Sequence, residues 1–471
     1  MHTQCTQAQL EFQDFGTRKL FGAFDGGYIS SDGGALLLRE VDSRLKITSR
    51  VAACFTDHRN PEFVEHSVLE LIRQRIYGLA LGYEDLNDHD ELRLDPLLAV
   101  AVGKSDPEGL FRKRQRDQGR ALASHCTLNR LELTPGKLDP KNRYRKLIHH
   151  PEHFEELFVE LFLDAYPEAP EEIILDFDAT DDPIHGGQEG RFFHGYYGNY
   201  CYLPLYVFCG EHLLVAKLRK SDRDASGGSE ETLLFLVSRI RKRWPAVRIV
   251  VRGDSGFARD SLMKWCEDNG VYFVLGLAKN QRLIRKIGKE MVEARDHFEA
   301  TQHASRVFTH FHWSTKKSWT RSRRVIAKAE HLSKGANPRF IVTNLPETYA
   351  TPKALYENVY CARGEMENRI KEQQLDLFAD RTSTHTMRAN QLRLWFSSVA
   401  YVLVSALRRI ALQGTKMAKS TCGSIRLKLF KIGAQIKLSV RRVFVHFASA
   451  CPYQDTFRKA LQNLKNYPMR C

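Results

Sequence analysis

The sequence has few acids at one end, no closely paired cysteines and no long apolar run. Ten cysteines are present, yet no two stand in a CxxC arrangement. That scatter excludes a readable zinc-finger or disulfide framework and favours buried free thiols in a reducing cytoplasm. A zinc site from Cys201, Cys209 and nearby histidines lacks finger-like ligand spacing and is not expected. The best apolar run, "LWFSSVAYVLVSAL", is bounded by Arg393, Arg408 and Arg409 and is too short to span a bilayer. No membrane partner is therefore expected. The opening "MHTQCTQAQLEFQDF" lacks the basic-then-apolar pattern of a secretory leader. Internal repeats and low-complexity segments are missing as well.

What is present is a globular composition, 43% hydrophobic and 10% aromatic over 471 residues, enough for two or three domains. The net charge of +15 is unevenly placed. From Arg381 to Cys471 there are 17 Lys or Arg against one acid, Asp455, leaving 54 basic and 55 acidic residues for positions 1–380. The body is nearly neutral and the tail carries the excess. Such asymmetry indicates a polyanion partner, most simply nucleic acid, with a solvated basic surface as the plainer alternative.

Residues 1–150 read as mostly helical. "PEFVEHSVLELIRQRIYGLALGYEDLND" has apolar residues at helical spacing from Val64 to Leu79, with Gly82 as its stop. "FRKRQRDQGRALASHCTLNRLE" places Arg112, Lys113, Arg114, Arg116 and Arg120 ahead of a short helical pattern. It reads equally as a helix-turn-helix-like DNA reader or a solvated basic loop. From Glu171 strands and helices alternate, as in a mixed α/β core: "EIILDFD", "YCYLPLYVFCG" and "HLLVAKLRK", then helix, "VRIVVRGD", helix and "VYFVLGLA". Residues 282–348 are polar, basic and β-prone, and read as an inserted subdomain. A long helix resumes near Pro352, and another apolar helix covers about 388–410. The period-two segments "SIRLKLFKI" and "QIKLSVRRVFVHF" suggest a basic β-hairpin carrying Arg441 and Arg442, candidates for phosphate contacts. The expected divisions are 1–150, 151–281, 282–348, 349–410 and 411–471.

Acidic residues gather at three points. "LDFDATDDPIHGG" holds Asp176, Asp178, Asp181 and Asp182 at a strand end. Carboxylates so close repel one another unless a cation or proton lies among them. "IVVRGDSGF" delivers Asp254 to a second strand end, where it is either a helix cap or a site residue. On the resumed helix, Tyr360, Arg363 and Glu367 fall on one face at i, i+3 and i+7, and Lys371 continues the stripe. Alone, that face is an ordinary ion-pair network. Together, two aspartates and a glutamate offer hard oxygen ligands suited to Mg²⁺. Two such ions can activate a nucleophile and stabilise the leaving oxygen of a phosphodiester. Arg363 can then clamp a phosphate, and Tyr360 can stack on or bond to DNA.

"DATDDPIHG", "RGDSGF" and "YCARGEMENRIKEQQLDLFADRTS", with "SDGGALLLRE" and "GYEDLNDHDELRLDP" nearer the start, resemble the motifs of bacterial insertion-sequence DDE transposases. The third stretch matches their Y-x2-R-x3-E signature at Tyr360, Arg363 and Glu367. The resemblance spans nearly the whole chain. It implies an RNase H-like mixed-sheet α/β catalytic core interrupted by a β-rich insertion, a helical N-terminal DNA-binding region and a basic C-terminal region. It further implies Asp178, Asp254 and Glu367 as the catalytic, metal-binding triad. Asp178 is taken from the D-x-T pattern, with Asp176, two residues earlier on the same strand face, as runner-up. Arg112, Lys113, Arg114, Arg441, Arg442, Tyr360, Arg363 and Lys371 are the DNA-binding candidates. The implied cofactor is Mg²⁺ in a two-metal site, with Mn²⁺ as a substitute. The implied partners are the terminal inverted repeats of its own element, target DNA, and a second copy of the chain in a synaptic dimer. A bacterial, nucleoid-associated location follows. The family's further lysine, seven residues after the glutamate, is replaced here by Gln374, with Lys371 one turn earlier. A non-catalytic DNA-binding protein and an RNase H-like repair nuclease are the alternative functions. His185 and His194 flank the glycine-rich turn and read first as structural. Trp313 and Trp319 lie where relatives hold a flipped base, and read first as core packing.

Overall fold

The computed structural model describes residues 9–468. Cys5, Cys471 and the first eight residues of the leader comparison lie outside them. Two compact units are present: residues 1–149 with 399–471, and residues 150–398.

In the first unit, the helix Val68–Leu81 begins where its chemistry directs. Ser67 accepts the Glu70 N–H while Glu70 reaches back to the Ser67 N–H, and Gly82 closes the helix at φ 98°. Arg426 donates to the carbonyls of Ala80 and Leu79, so one tail cation serves the negative end of this helix. The short sheet Tyr28–Ser30, Ala434–Leu438, Val443–Phe447 unites strands from both ends of the chain. The expected hairpin is thus only half as read. "QIKLSVRRVFVHF" forms it, with Arg441 and Arg442 exposed at its turn. "SIRLKLFKI" is helical over Cys422–Ile425 and Arg426–Phe430. Burial decides this, because Ile425, Leu429 and Phe430 are inside while Leu427 is exposed, a spacing of four rather than two. The basic stretch after Phe111 is not a helix-turn-helix. It is an irregular loop with one tight turn at Gln115–Asp117, followed by the single helix His125–Glu132. Nothing apolar between Arg112 and Arg120 offers a face to bury.

The second unit is built on one mixed sheet. Its strands are β1 (Glu172–Ala179), β2 (Leu205–Cys209), β3 (His212–Lys217), β4 (Arg248–Gly253), β5 (Tyr272–Leu277), β6 (Ser305–Trp313), β7 (Arg323–Leu332) and β8 (Arg339–Thr343). They lie in the order β3-β2-β1-β4-β5-β8-β7-β6. β1, β2 and β3 pair antiparallel, whereas β1, β4 and β5 run parallel, a mixed sheet of the kind expected above. The segment 282–348 does not form a separate subdomain. After the helix Gly288–Thr301, its strands β6–β8 extend the same sheet through the β5–β8 pairing. Helices α1 (Pro151–Leu163), α2 (Ser229–Arg243) and α3 (Asp260–Asp268) cover one face, burying Phe162, Leu236 and Met263 with Leu175, Phe177 and Val251. The other face buries Val250, Val274 and Ile341 beneath Leu355 and Tyr356. Strand alternation therefore turns Asp176 and Asp178 away from Leu175 and Phe177, toward the face covered by the helical segment after Pro352.

Candidate active site

Parallel register assembles the acidic edge. Asp176 pairs with Arg252 across β1 and β4, so Asp178 and Asp254 stand one rung beyond, at the carboxyl ends of two central strands. The inner rung is an ion pair. Arg252 grips both Asp176 oxygens, Nη2 to Oδ2 at 2.7 Å, and its Nη1 donates to the Val359 carbonyl. Both side chains are almost wholly buried. Arg252 thus fastens the sheet to the helical segment, and it engages both Asp176 oxygens. Asp178 differs: Oδ1 accepts its neighbour's N–H from Ala179, and Oδ2 faces Arg363 Nη1 at 3.3 Å. Burial first, then the negative charges of Asp254 and Glu367, push its carboxyl up to about 6 against the opposing pull of Arg363. Asp254 is also a cap, since its Oδ1 accepts the Gly256 N–H at 2.8 Å in the Ser255–Phe257 turn.

The glutamate arrives on an irregular helical segment. A π-helical turn over Leu355–Tyr360 and a tight 3-10 turn over Cys361–Arg363 precede α4 (Gly364–Lys371), and a second π turn follows at Glu372–Asp376. Such wide turns recur at functional sites because they re-aim side chains. Arg363 Nη2 holds Glu367 Oε1 at 2.7 Å, so one guanidinium bridges Glu367 and Asp178. Tyr360 lies in the same charge cluster, where burial raises its hydroxyl, Arg363 lowers it and Asp254 raises it.

Gly276 is a contributor the sequence reading passed over. A Cβ there would stand 2.7 Å from the Tyr360 hydroxyl and 2.8 Å from the Ser255 nitrogen, against backbone as well as side chain. Its signal was a glycine in the middle of "VYFVLGLA", where a strand interior otherwise excludes it.

The other predicted residues are dispersed. Lys371 is exposed, and Gln374 donates to the Asp181 carbonyl at 3.2 Å, bracing the loop after Asp178. Asp182 is buried in a short strand, and burial followed by Asp380 holds its carboxyl well above the usual range. Trp313 and Trp319 pack against the core beneath Arg282 and Arg323. His185 is exposed, and His194 lies half-buried beside Tyr197. Cys201 and Cys209 are buried free thiols. In the first unit, Arg112 is paired with Glu65, Lys113 donates to the Glu62 carbonyl, and Arg114 is exposed.

Among the described residues no three His, Cys, Asp or Glu side chains stand ready to hold a metal, and no helix is long and apolar enough to cross a membrane. The donor chemistry nevertheless fits a hard cation. Burial, and then two neighbouring carboxylates, hold Asp178 up, and the positive charge between Asp178 and Glu367 is supplied by Arg363.

The sequence profile described as "Transposase DDE domain group 1" matches residues 12–469. No curated protein matches the chain. Among solved structures it is similar to a piggyBac transposase in a synaptic complex with hairpin DNA, determined by cryo-EM. That similarity has 10% identity and a TM-score of 0.40, over 93% of this chain and 85% of that one.

Proposed function

Because the chain belongs to the transposase DDE domain group 1 family and is thus a DNA-cleaving transposase, we propose that it performs Mg²⁺-dependent cut-and-paste transposition of its own element. The observation that carries this reading is the meeting of Asp178, Asp254 and the Arg363–Glu367 pair at one sheet edge. In this reading Asp178, Asp254 and Glu367 hold the divalent cations that DDE enzymes generally use. When bound, these ions supply Lewis-acid stabilisation of the attacking and leaving oxygens. Arg363 exchanges its carboxylate partners for a phosphate, which its planar fork suits. Tyr360 sits against Gly276 and orients the strand near the cut. First water cleaves a terminal phosphodiester, freeing a 3′-hydroxyl, and that hydroxyl then attacks a target phosphodiester, forming a new P–O bond as the target's own 3′-oxygen leaves. Two protomers would hold the two ends.

The experiment is cleavage of a linear duplex bearing the element's terminal inverted repeats, with and without Mg²⁺. Asp178→Ala, Asp254→Ala and Glu367→Ala are each expected to abolish cutting while end binding persists. Wild-type cutting by any of them removes that residue from the triad. Cutting without end preference would favour a repair nuclease, and binding without metal-dependent cutting a non-catalytic DNA-binding protein.

A further inference from the structure

One nucleophile lies outside the acidic edge. Among the described residues two free thiols are exposed, Cys126 and Cys361. Cys126 Sγ lies 3.1 Å from His125 Nε2, and His125 Nδ1 lies 2.5 Å from Asp90 Oδ2. Asp90 Oδ1 also accepts the His125 backbone N–H at 3.1 Å, so one carboxylate fixes both the ring and the chain that carries it. Burial raises the Asp90 carboxyl, but these bonds from His125 outweigh it and hold the group below its usual range. An ionised carboxylate can only accept. In the neutral imidazole the proton therefore sits on Nδ1, and Nε2 is left to take one from the thiol. Nucleophile, base and orienting carboxylate follow one another at the start of the helix His125–Glu132.

Cys126 lines a groove of about 1150 Å³ in the first unit, together with Eight Lys or Arg and four acids. Its buried polar atoms lack partners of both kinds. His66, 6% exposed, and Arg93, 8% exposed, line the same groove, and His66 Nε2 and Arg93 Nε have no hydrogen-bond partner. The buried Glu65 Oε1 has none either. Buried groups of this kind are normally paired. A simple anion would answer the nitrogens and leave the Glu65 oxygen bare. A peptide brings N–H donors and carboxylate oxygens together, and a net negative charge on it suits the surplus of cations. Attack by a thiol on a disulfide puts the developing charge on sulfur, so it needs no oxyanion hole, whereas acyl transfer does.

We propose that Cys126 is a thiol–disulfide exchange site for small acidic peptide disulfides, with His125 as its base and Asp90 as a positioning residue. The site stands apart from the acidic edge of the catalytic sheet and does not rest on the transposase reading. As the sulfur attacks, the Cys126 proton passes to His125 Nε2. A bond forms between Cys126 Sγ and one sulfur of the incoming disulfide while that disulfide's own S–S bond breaks. The departing thiolate carries off the bonding pair and takes the proton back from His125. Cys126 is thereby oxidised to a mixed disulfide, and the released peptide is reduced to its thiol by the same two electrons.

Oxidised glutathione, an acidic peptide disulfide, is the probe, applied to the full chain near neutral pH and read by peptide mass. Cys126 is expected to form the mixed disulfide about tenfold faster than Cys361, whose thiol burial holds above the usual range. Cystamine, a cationic disulfide, should react at Cys126 roughly tenfold more slowly than oxidised glutathione. His125→Ala and Asp90→Asn should each slow the Cys126 reaction about tenfold and leave Cys361 unchanged. Added imidazole should restore the rate of His125→Ala, and Asp90→Glu, which keeps the carboxylate, should recover most of the wild-type rate. A variant that merely loosened the fold would instead speed reaction at the buried Cys54 and Cys266, which are expected to stay unmodified. Equal rates at Cys126 and Cys361, or a Cys126 rate that neither His125→Ala nor Asp90→Asn lowers, overturns the exchange site and leaves the transposase reading intact. Cystamine reacting as fast as oxidised glutathione overturns the assignment to acidic peptides.

Discussion

Gly276→Ala is the sharpest probe of how the acidic edge is assembled. The substitution adds one methyl group on β5. Its carbon would sit 2.7 Å from the Tyr360 hydroxyl, 2.8 Å from the Ser255 nitrogen and 3.1 Å from the Asp254 carbonyl carbon. The closest of these is roughly 0.7 Å inside the 3.4 Å at which ordinary contact begins. A rotating side chain could relieve the first clash, but the other two are backbone atoms of Ser255 and of Asp254 itself. The turn that aims Asp254 must therefore move. Overpacking of this kind costs about 1–3 kcal/mol. In a unit of this size that corresponds to a melting temperature lower by roughly 2–10 °C. Cleavage should suffer more, because displacement near 1 Å can cost about 10²-fold in rate. Tyr360→Phe in the same background should not restore it, since the Ser255 clash persists. Urea or thermal melts and single-turnover cutting of an end duplex read the two effects separately. A variant that melts and cuts like the wild type would refute the claim that Gly276 sets the position of Asp254.

Three further outcomes follow from the same geometry. Asp176→Ala leaves Arg252 buried without its partner and should cost about 3–5 kcal/mol in urea unfolding, whereas Asp178→Ala should cost far less; equal losses would return Asp176 to contention. Arg363→Gln removes the cation that bridges Asp178 and Glu367. It should tighten Mn²⁺ binding without DNA by roughly tenfold in calorimetry, about 1.4 kcal/mol, while cutting fails. Unchanged Mn²⁺ affinity would count against the bridge. Finally, burial first and then Arg75, against the pull of Asp90, lower His89 to about 3, and His66 is lowered to a similar value. Both imidazoles are neutral when folded, while an unfolded imidazole titrates near about 6.5. Their stability contribution is complete above that pH and lost as pH falls toward 3, since only the unfolded chain takes up the protons. At pH 5 each should cost about 2 kcal/mol relative to pH 7, and His89→Gln should remove its share; a flat stability profile over that range would contradict the burial.

Much of this was legible because it depends on spacing alone. Period-two alternation in "ILDFDA" sends Leu175 and Phe177 to one face and the aspartates to the other, which any half-buried strand enforces. The box at Ser67–Glu70 and the stop at Gly82 are local too, and the helix between them could be read without its neighbours. The inserted strands were harder to place. A polar, basic, β-prone run is equally suited to a separate subdomain and to the edge of an existing sheet. What decides is the pairing of β8 with β5, a contact between segments far apart in sequence. "SIRLKLFKI" misled for a related reason. It satisfies a period of two on paper, yet burial follows a spacing of four.

The contest between Asp176 and Asp178 shows what periodicity cannot supply. Both residues share a strand face and stand two apart, so no local rule separates them. The separation comes from register: Asp176 falls opposite Arg252, and a guanidinium there takes both of its oxygens. A carboxylate so bound is held rigid, and Arg252 in turn donates to the Val359 carbonyl and ties the sheet to the helical segment. One rung outward, Asp178 meets another carboxylate at the end of β4, and the cation it does have, Arg363, is shared with Glu367. A fixed partner on the inner rung and a shared one on the outer rung divide the work. The inner pair holds the sheet and helix in place, and the outer carboxylates are the ones to which the proposed function gives the incoming cation. Exchanging the two roles would require moving Arg252, not either aspartate. For that reason Arg252→Leu should destabilise the fold and misplace the helix that carries Glu367, even though Arg252 itself touches none of the three proposed metal ligands.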